Sequence, residues 1–128
     1  MLSRRVLVVD DDSQCRDLIC RVLSAAGLLV VPVPNGRAAL AVLAHTEVDA
    51  VVSDINMPEV DGRSLCTALQ ADPRLKHLPV LLVSSVPPSA GELAALGAKF
   101  LAKPFAPGHL SHAVSELLGG AGTSSRTT

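Results

Sequence analysis

The stretch Val6-Leu7-Val8-Val9-Asp10-Asp11-Asp12 runs four aliphatic residues directly into three carboxylates. Four apolar side chains without polar alternation describe a short strand covered on both faces, the habit of parallel sheets. The acids behind them mark where that strand leaves the core. The same signature recurs along the chain. Leu28–Val33, Ala50–Val52 and Val80–Val83 are further aliphatic runs, and Phe100–Ala102 is a weaker fifth behind a turn at Gly97-Ala98-Lys99.

Segments with helical period separate these runs. Cys15, Leu18, Ile19, Val22, Leu23 and Ala26 recur at steps of three and four and stop at Gly27, a C-terminal cap. Asn35-Gly36 opens a second helix through Ala39, Leu40, Leu43 and Ala44. Leu65, Cys66 and Leu69 mark a third, closed by Asp72-Pro73. Leu93 and Leu96 give a short fourth, and Leu110, Ala113, Val114, Leu117 and Leu118 a fifth. Strand and helix alternate five times, which predicts an α/β fold with a five-stranded, parallel, doubly wound sheet and a shortened fourth helix.

The chain has 128 residues, room for one domain, and is 48% hydrophobic with two Phe and no Trp or Tyr. Its core must therefore pack from small aliphatic side chains. Residues 1–118 are read as the domain, and 119–128, rich in Gly, Ser and Thr, as a flexible tail or linker. Net charge is −1 and no basic run occurs, so neither nucleic-acid nor membrane binding by this domain is expected. Three cysteines without metal or redox spacing point to reduced thiols and a cytoplasmic location. Cys15 and Cys66 fall on apolar helix faces as small core residues; Cys20 lies off that face. The four histidines are scattered, and no chemistry is assigned to them.

In open α/β sheets, ligands bind beyond the carboxyl ends of the strands. The first strand delivers Asp10, Asp11 and Asp12 there. The third delivers Asp54, with Asn56, Met57 and Pro58 behind it; the fourth delivers Ser84 and Ser85, and the fifth Lys103 and Pro104. Two carboxylates ~4 Å apart repel by about 4 kcal/mol at an effective dielectric near 20. Several together call for a cation, and hard oxygen ligands favour Mg²⁺ or Mn²⁺. A carboxylate nucleophile, a metal and a lysine with a serine hydroxyl for the equatorial oxygens make a phosphoryl-transfer site.

These pieces resemble the receiver domain of bacterial two-component response regulators. The resemblance rests on Val6–Asp12, on Val51-Val-Ser-Asp-Ile-Asn-Met-Pro58 with Asp61-Gly62, on Pro79–Ser85, and on Lys103-Pro104-Phe105, in the family's order from residue 4 to about 118. It implies a flavodoxin-like sheet of strand order 2-1-3-4-5. It also implies that Asp54 is the phosphoacceptor. Asp11 would be the directly metal-bound acid and Asp10 its partner through water, with Asp54 and the backbone carbonyl of Asn56 completing the ligands. Ser84 is then the switch hydroxyl, Lys103 the lysine that pairs with the phosphoryl group, and Phe100 the aromatic switch residue. Pro104 sits where the family commonly has a cis peptide bond.

Three departures from the family pattern stand out. Phe100 lacks the hydroxyl of the tyrosine often found there. Ser85 replaces a smaller residue and adds a donor. The segment from Ser84 to Lys103 is short and carries Val86-Pro87-Pro88. The implied partners are a histidine kinase or a histidine phosphotransfer protein upstream, and an effector domain or protein downstream. The chain is read as a signalling acceptor, not an enzyme acting on a separate metabolite. Three alternatives compete. A haloacid-dehalogenase-type hydrolase needs a second acid two residues after the nucleophile, where Asn56 stands. A flavodoxin-like cofactor binder needs a phosphate loop where Asp10, Asp11 and Asp12 would repel one. A pseudo-receiver scaffold would not be phosphorylated at all.

Overall fold

The computed structural model describes residues 4–120. Its elements follow in the order β1 Arg5–Val9, α1 Ser13–Ala25, β2 Leu29–Val33, α2 Gly36–Leu43, β3 Ala50–Asp54, α3 Gly62–Ala71, β4 Val80–Ser84, α4 Ala90–Leu96, β5 Ala98–Ala102 and α5 Pro107–Ser115. A wider π-helical turn, Glu116–Gly120, continues α5. Residues 121–128 of the segment read as a tail or linker lie outside the described residues, while Gly119 and Gly120 belong to that last turn.

All five strands are parallel in one sheet of order β2-β1-β3-β4-β5. Alternate residues of each central strand feed opposite layers. Leu7, Val9, Val51 and Leu82 pack with Ala39 and Leu43 of α2 and Leu65, Cys66 and Leu69 of α3. Val6, Val8, Val52, Leu81 and Val83 pack with Ile19 and Leu23 of α1 and Leu110 and Val114 of α5. Unbroken aliphatic runs are thus required because both faces are covered. The edge strands depart from that expectation: Leu29 at the start of β2 is 49% exposed, and no residue of β5 is fully buried.

Helix ends follow from local chemistry. Asp12, Asn35, Asp61 and Ser89 each accept from backbone N–H groups of the first turn, satisfying donors the helix leaves open. Pro107 begins α5, where a missing N–H costs nothing. Gly97, at φ 66°, ends α4 in the left-handed conformation, and the strand starts at Ala98. The turn expected at Gly97-Ala98-Lys99 therefore contracts to one residue. Helix α4 has seven residues, none fully buried, and polar bonds fasten it to α3: an ion pair between Arg63 and Glu92, and Gln70 Nε2 donating to the Ala95 carbonyl at 3.4 Å.

Glu59, in the loop from β3 to α3, is the one non-glycine at positive φ (66°) among the described residues. A side chain there is strained. Its ion pair with Arg37 spans 3.2 Å, but the two side chains are 66% and 74% exposed, so solvent screening leaves it little weight. Glu59→Gly should raise stability by about 1 kcal/mol. The urea midpoint should move up with an unchanged slope. A midpoint that falls would show that the Glu59 side chain holds this loop.

Candidate functional site

Strand order reverses beside β1, which has β2 on one side and β3 on the other, so connections leave it in opposite directions and a crevice opens at the strand ends. Asp10 follows β1 directly and stays pinned to the sheet, its N–H donating to the Val33 carbonyl at 3.2 Å. It is 0% exposed. Asp54 is the last residue of β3 and 8% exposed, and its Oδ1 accepts from the Ile55 N–H at 3.0 Å. Lys103 follows β5; its N–H donates to the Ser84 carbonyl at 2.9 Å, tying it to the end of β4. From there its Nζ reaches 3.3 Å from Asp54 Oδ1 and 3.5 Å from Asp10 Oδ2. Three strands far apart in sequence thus bring two carboxylates to one ammonium.

The charges act on one another. Burial pushes the Asp54 carboxyl above its ordinary pKa; Lys103 opposes this and the Asp10 charge adds to it. Burial works against the Lys103 ammonium, but Asp10 and then Asp54 outweigh it and hold its pKa above the usual lysine value. Asp10, Asp11 and Asp54 each offer a carboxylate oxygen, all within 4.8 Å of one another. Asp10 Oδ1 takes the Asp12 N–H at 2.9 Å. Asp10 Oδ2 is buried without a hydrogen-bond partner, the one such side-chain atom among the described residues. An acceptor left in that state is costly, and a hard divalent cation or its water would satisfy it. The donor set is all oxygen, so these residues fit Mg²⁺ or Mn²⁺.

The remaining residues singled out in the sequence fall around this centre. Asp11 is exposed at its rim. Asn56 is exposed and its Nδ2 donates to Ser84 Oγ at 3.5 Å. Ser84 is 2% exposed, and its Oγ also accepts from the Val86 N–H at 3.2 Å. Ser85 and Pro104 are exposed, and the Lys103–Pro104 bond is cis. Phe100 lies half-buried against the core layer that includes α2 and α3, beside Leu93 and Leu96 of α4.

Some contributors have no signal in residue type alone. Gly62 opens α3 so close to the end of β3 that a Cβ there would lie 2.5 Å from the Asp54 carbonyl oxygen and 2.8 Å from Ile55 Cα. Backbone cannot yield as a side chain can, so this glycine keeps α3 seated under Asp54. The half-buried guanidinium of Arg16 donates to the Asp10 carbonyl at 2.8 Å. Cys15, read as a small core residue, packs half-buried against the core layer of α1 and α5 and also lies near Asp10; burial and then Asp10 push its thiol up to about 11. Leu18, counted on the same apolar face, is 36% exposed.

Comparison with known proteins follows the same line. A family model described as "Response regulator receiver domain" matches residues 6–115. The chain is 33% identical to the transcriptional regulatory protein GltR of Pseudomonas aeruginosa, covering 91% of this chain and 49% of that protein. It is 39% identical to the transcriptional regulatory protein PrrA of Mycobacterium tuberculosis, covering 98% of this chain and 56% of that protein. The chain thus spans about half the length of these curated relatives. Among solved structures, a chemotaxis protein of Vibrio cholerae superposes with a TM-score of 0.86 at 31% identity, covering 91% of this chain and 100% of that one. The receiver domain of a histidine kinase from Syntrophus aciditrophicus also gives 0.86 at 31%, covering 94% of each.

A raised Asp54 pKa means that the protonated carboxyl suits the metal-free fold. Its stabilising contribution is complete below the unfolded-state value, near about 3.9, and is lost as pH rises through the higher folded-state value. Asp54→Asn should therefore raise the urea midpoint of chelator-treated protein at neutral pH, with the gain fading toward pH ~4. An Asn variant less stable than wild type at neutral pH would mean that the ion pair with Lys103 outweighs burial.

Proposed function

Because the chain belongs to the response regulator receiver domain family, we propose that it is the phosphoacceptor of a two-component phosphorelay. It accepts a phosphoryl group on Asp54 from a phosphohistidine and signals by a change of shape. The donor is a histidine kinase or a histidine phosphotransfer protein, and the recipient of the signal is an effector domain or protein. The observation that carries this reading is the Lys103 ammonium held 3.3 Å from Asp54 and 3.5 Å from Asp10 at the carboxyl end of the sheet.

In the transfer, an Asp54 carboxylate oxygen attacks phosphorus in line. The bond from phosphorus to the donor imidazole nitrogen breaks, its electron pair stays on the nitrogen, and the ring takes up a proton. The product on Asp54 is an acyl phosphate. Lys103 moves from pairing with a carboxylate to pairing with a phosphoryl oxygen, so its charge is matched before and after. Asp11, Asp54, the Asn56 carbonyl and, through water, Asp10 would hold a Mg²⁺ or Mn²⁺ that neutralises charge on the transferring group. Ser85, at the rim, supplies a further hydroxyl donor.

The signal begins at Ser84. Its Oγ is held by two long bonds, 3.2 Å from the Val86 N–H and 3.5 Å from Asn56 Nδ2, which a phosphoryl oxygen can replace. As Ser84 turns toward the phosphoryl group, Phe100, half-buried on the neighbouring strand, repacks into the space released. That biases a two-state equilibrium of the face made by α4, β5 and α5. With no phenolic hydroxyl on Phe100, this step rests on packing alone. Hydrolysis of the acyl phosphate resets the module, the water arriving between Asn56 and the 68% exposed Val86.

The module is a signalling acceptor, catalysing its own phosphorylation and slow dephosphorylation. A hydrolase of the haloacid-dehalogenase type is disfavoured because the second position after Asp54 is an amide, Asn56, not an acid. Free thiols at Cys15, Cys20 and Cys66 suit a cytoplasmic setting, and no described helix is long and apolar enough to cross a membrane.

Incubation with Mg²⁺ and a small acyl-phosphate donor, followed by intact-mass measurement, should add one phosphoryl group to the wild type. Chelator and Asp54→Asn should each abolish the adduct. An adduct that survives in Asp54→Asn would place the acceptor elsewhere. No adduct, together with no effect of Mg²⁺ on stability, would make the chain a pseudo-receiver scaffold.

A further inference from the structure

We infer that Arg16 is a positioning residue for the cation site, setting the geometry of the Asp10–Asp11 pair from outside it. The inference rests on the phosphoacceptor reading and deepens it. Its Nη1 donates to the Asp10 carbonyl at 2.8 Å across six residues, from a half-buried place on the second turn of α1. A charge-assisted bond of that length is among the stronger ones.

The carbonyl it grips is the informative part. The peptide unit is planar, so the carbonyl of Asp10 and the nitrogen of Asp11 turn as one body. Fixing that oxygen fixes the direction in which the chain leaves Asp10, and with it the place of the Asp11 carboxylate. Asp10 is already anchored from behind by its N–H on the Val33 carbonyl at 3.2 Å. Its carboxylate is oriented by the Asp12 N–H on Oδ1 at 2.9 Å, which leaves Oδ2 buried and facing Lys103 without a hydrogen bond. Asp11 is exposed, and no side-chain hydrogen bond of its own orients it among the described residues. Its position is set through the main chain, and the Arg16 bond is the contact that sets it.

Arg16 closes the loop a second time, its own N–H donating to the Asp12 carbonyl at 2.9 Å, while the Asp12 carboxylate caps Gln14 and Cys15. Residues 10–12 are thus clasped between β2 and the start of α1. The guanidinium holds this loop by its main chain without entering the ligand set, which leaves the carboxylate oxygens to the cation. A ligand set shaped this way depends on its outer contacts nearly as much as on the ligands.

The test compares wild type with Arg16→Met, which keeps the apolar stem, Arg16→Lys, which keeps charge and one donor, and Arg21→Met, an equal charge loss on the exposed side of α1. Mg²⁺ alone is titrated into each by calorimetry, beside urea unfolding in chelator. Arg16→Met should weaken Mg²⁺ affinity roughly tenfold, the usual scale for loss of an outer contact. Arg16→Lys should recover part of that loss, and Arg21→Met should bind like wild type. Unfolding midpoints in chelator should differ little between the two Met variants. Wild-type affinity in Arg16→Met would overturn the inference. So would an equal loss in Arg21→Met, which would reduce the effect to net charge, or a collapse of Arg16→Met without metal, which would make Arg16 a stability residue. Wild type that binds no Mg²⁺ at all would instead sink the phosphoacceptor reading beneath it.

Discussion

The ammonium of Lys103 faces two carboxylates, Asp54 at 3.3 Å and Asp10 at 3.5 Å, in a place where water reaches little of either acid. Taken out of water, two acids so placed repel, and a lone ammonium would be expensive to desolvate. The trio is tolerable only if its geometry is held closely, and much of the fold can be understood as holding it. Bonds from main chain to main chain fix each member: Asp10 to Val33, Ile55 beside Asp54 to Val83, Lys103 to Ser84. The side chains then have short reaches to cover, and little freedom is lost in covering them.

The balance is still incomplete. Among the described residues Lys103 is the one cation ion-paired with these carboxylates, and Asp10 Oδ2 lacks a hydrogen bond. A site left short of positive charge fits a divalent ion. The elements around it differ in how firmly they are packed. The central strands are buried throughout, while α4 has no fully buried residue and is fastened by Arg63, Glu92 and Gln70.

Fold class was legible because burial on both faces forces unbroken aliphatic runs, and because five such runs alternate with helical periods. The helix start at Asn35 and the stop at Gly27 were legible for local reasons, since the bonding partners lie within four residues. The departures fall where a neighbour distant in sequence decides. Leu29 reads as core but lies on an edge strand; Ala98 and Lys99 read as turn but pair with Val80 and Leu81.

Residue type and order by themselves determined that carboxylates, a hydroxyl and a lysine leave the ends of successive strands, since a parallel sheet sends all its carboxyl ends to one edge. Only the tertiary structure decided the distances among them, which atom of each is engaged, and that Asp10 Oδ2 is left without a partner. It alone placed Gly62 against the Asp54 carbonyl and the Arg16 guanidinium on the Asp10 carbonyl. The reason is physical. Periodicity and capping are short-range and written in neighbouring residues, whereas an ion pair or a close backbone approach is a property of chain segments that meet only after folding.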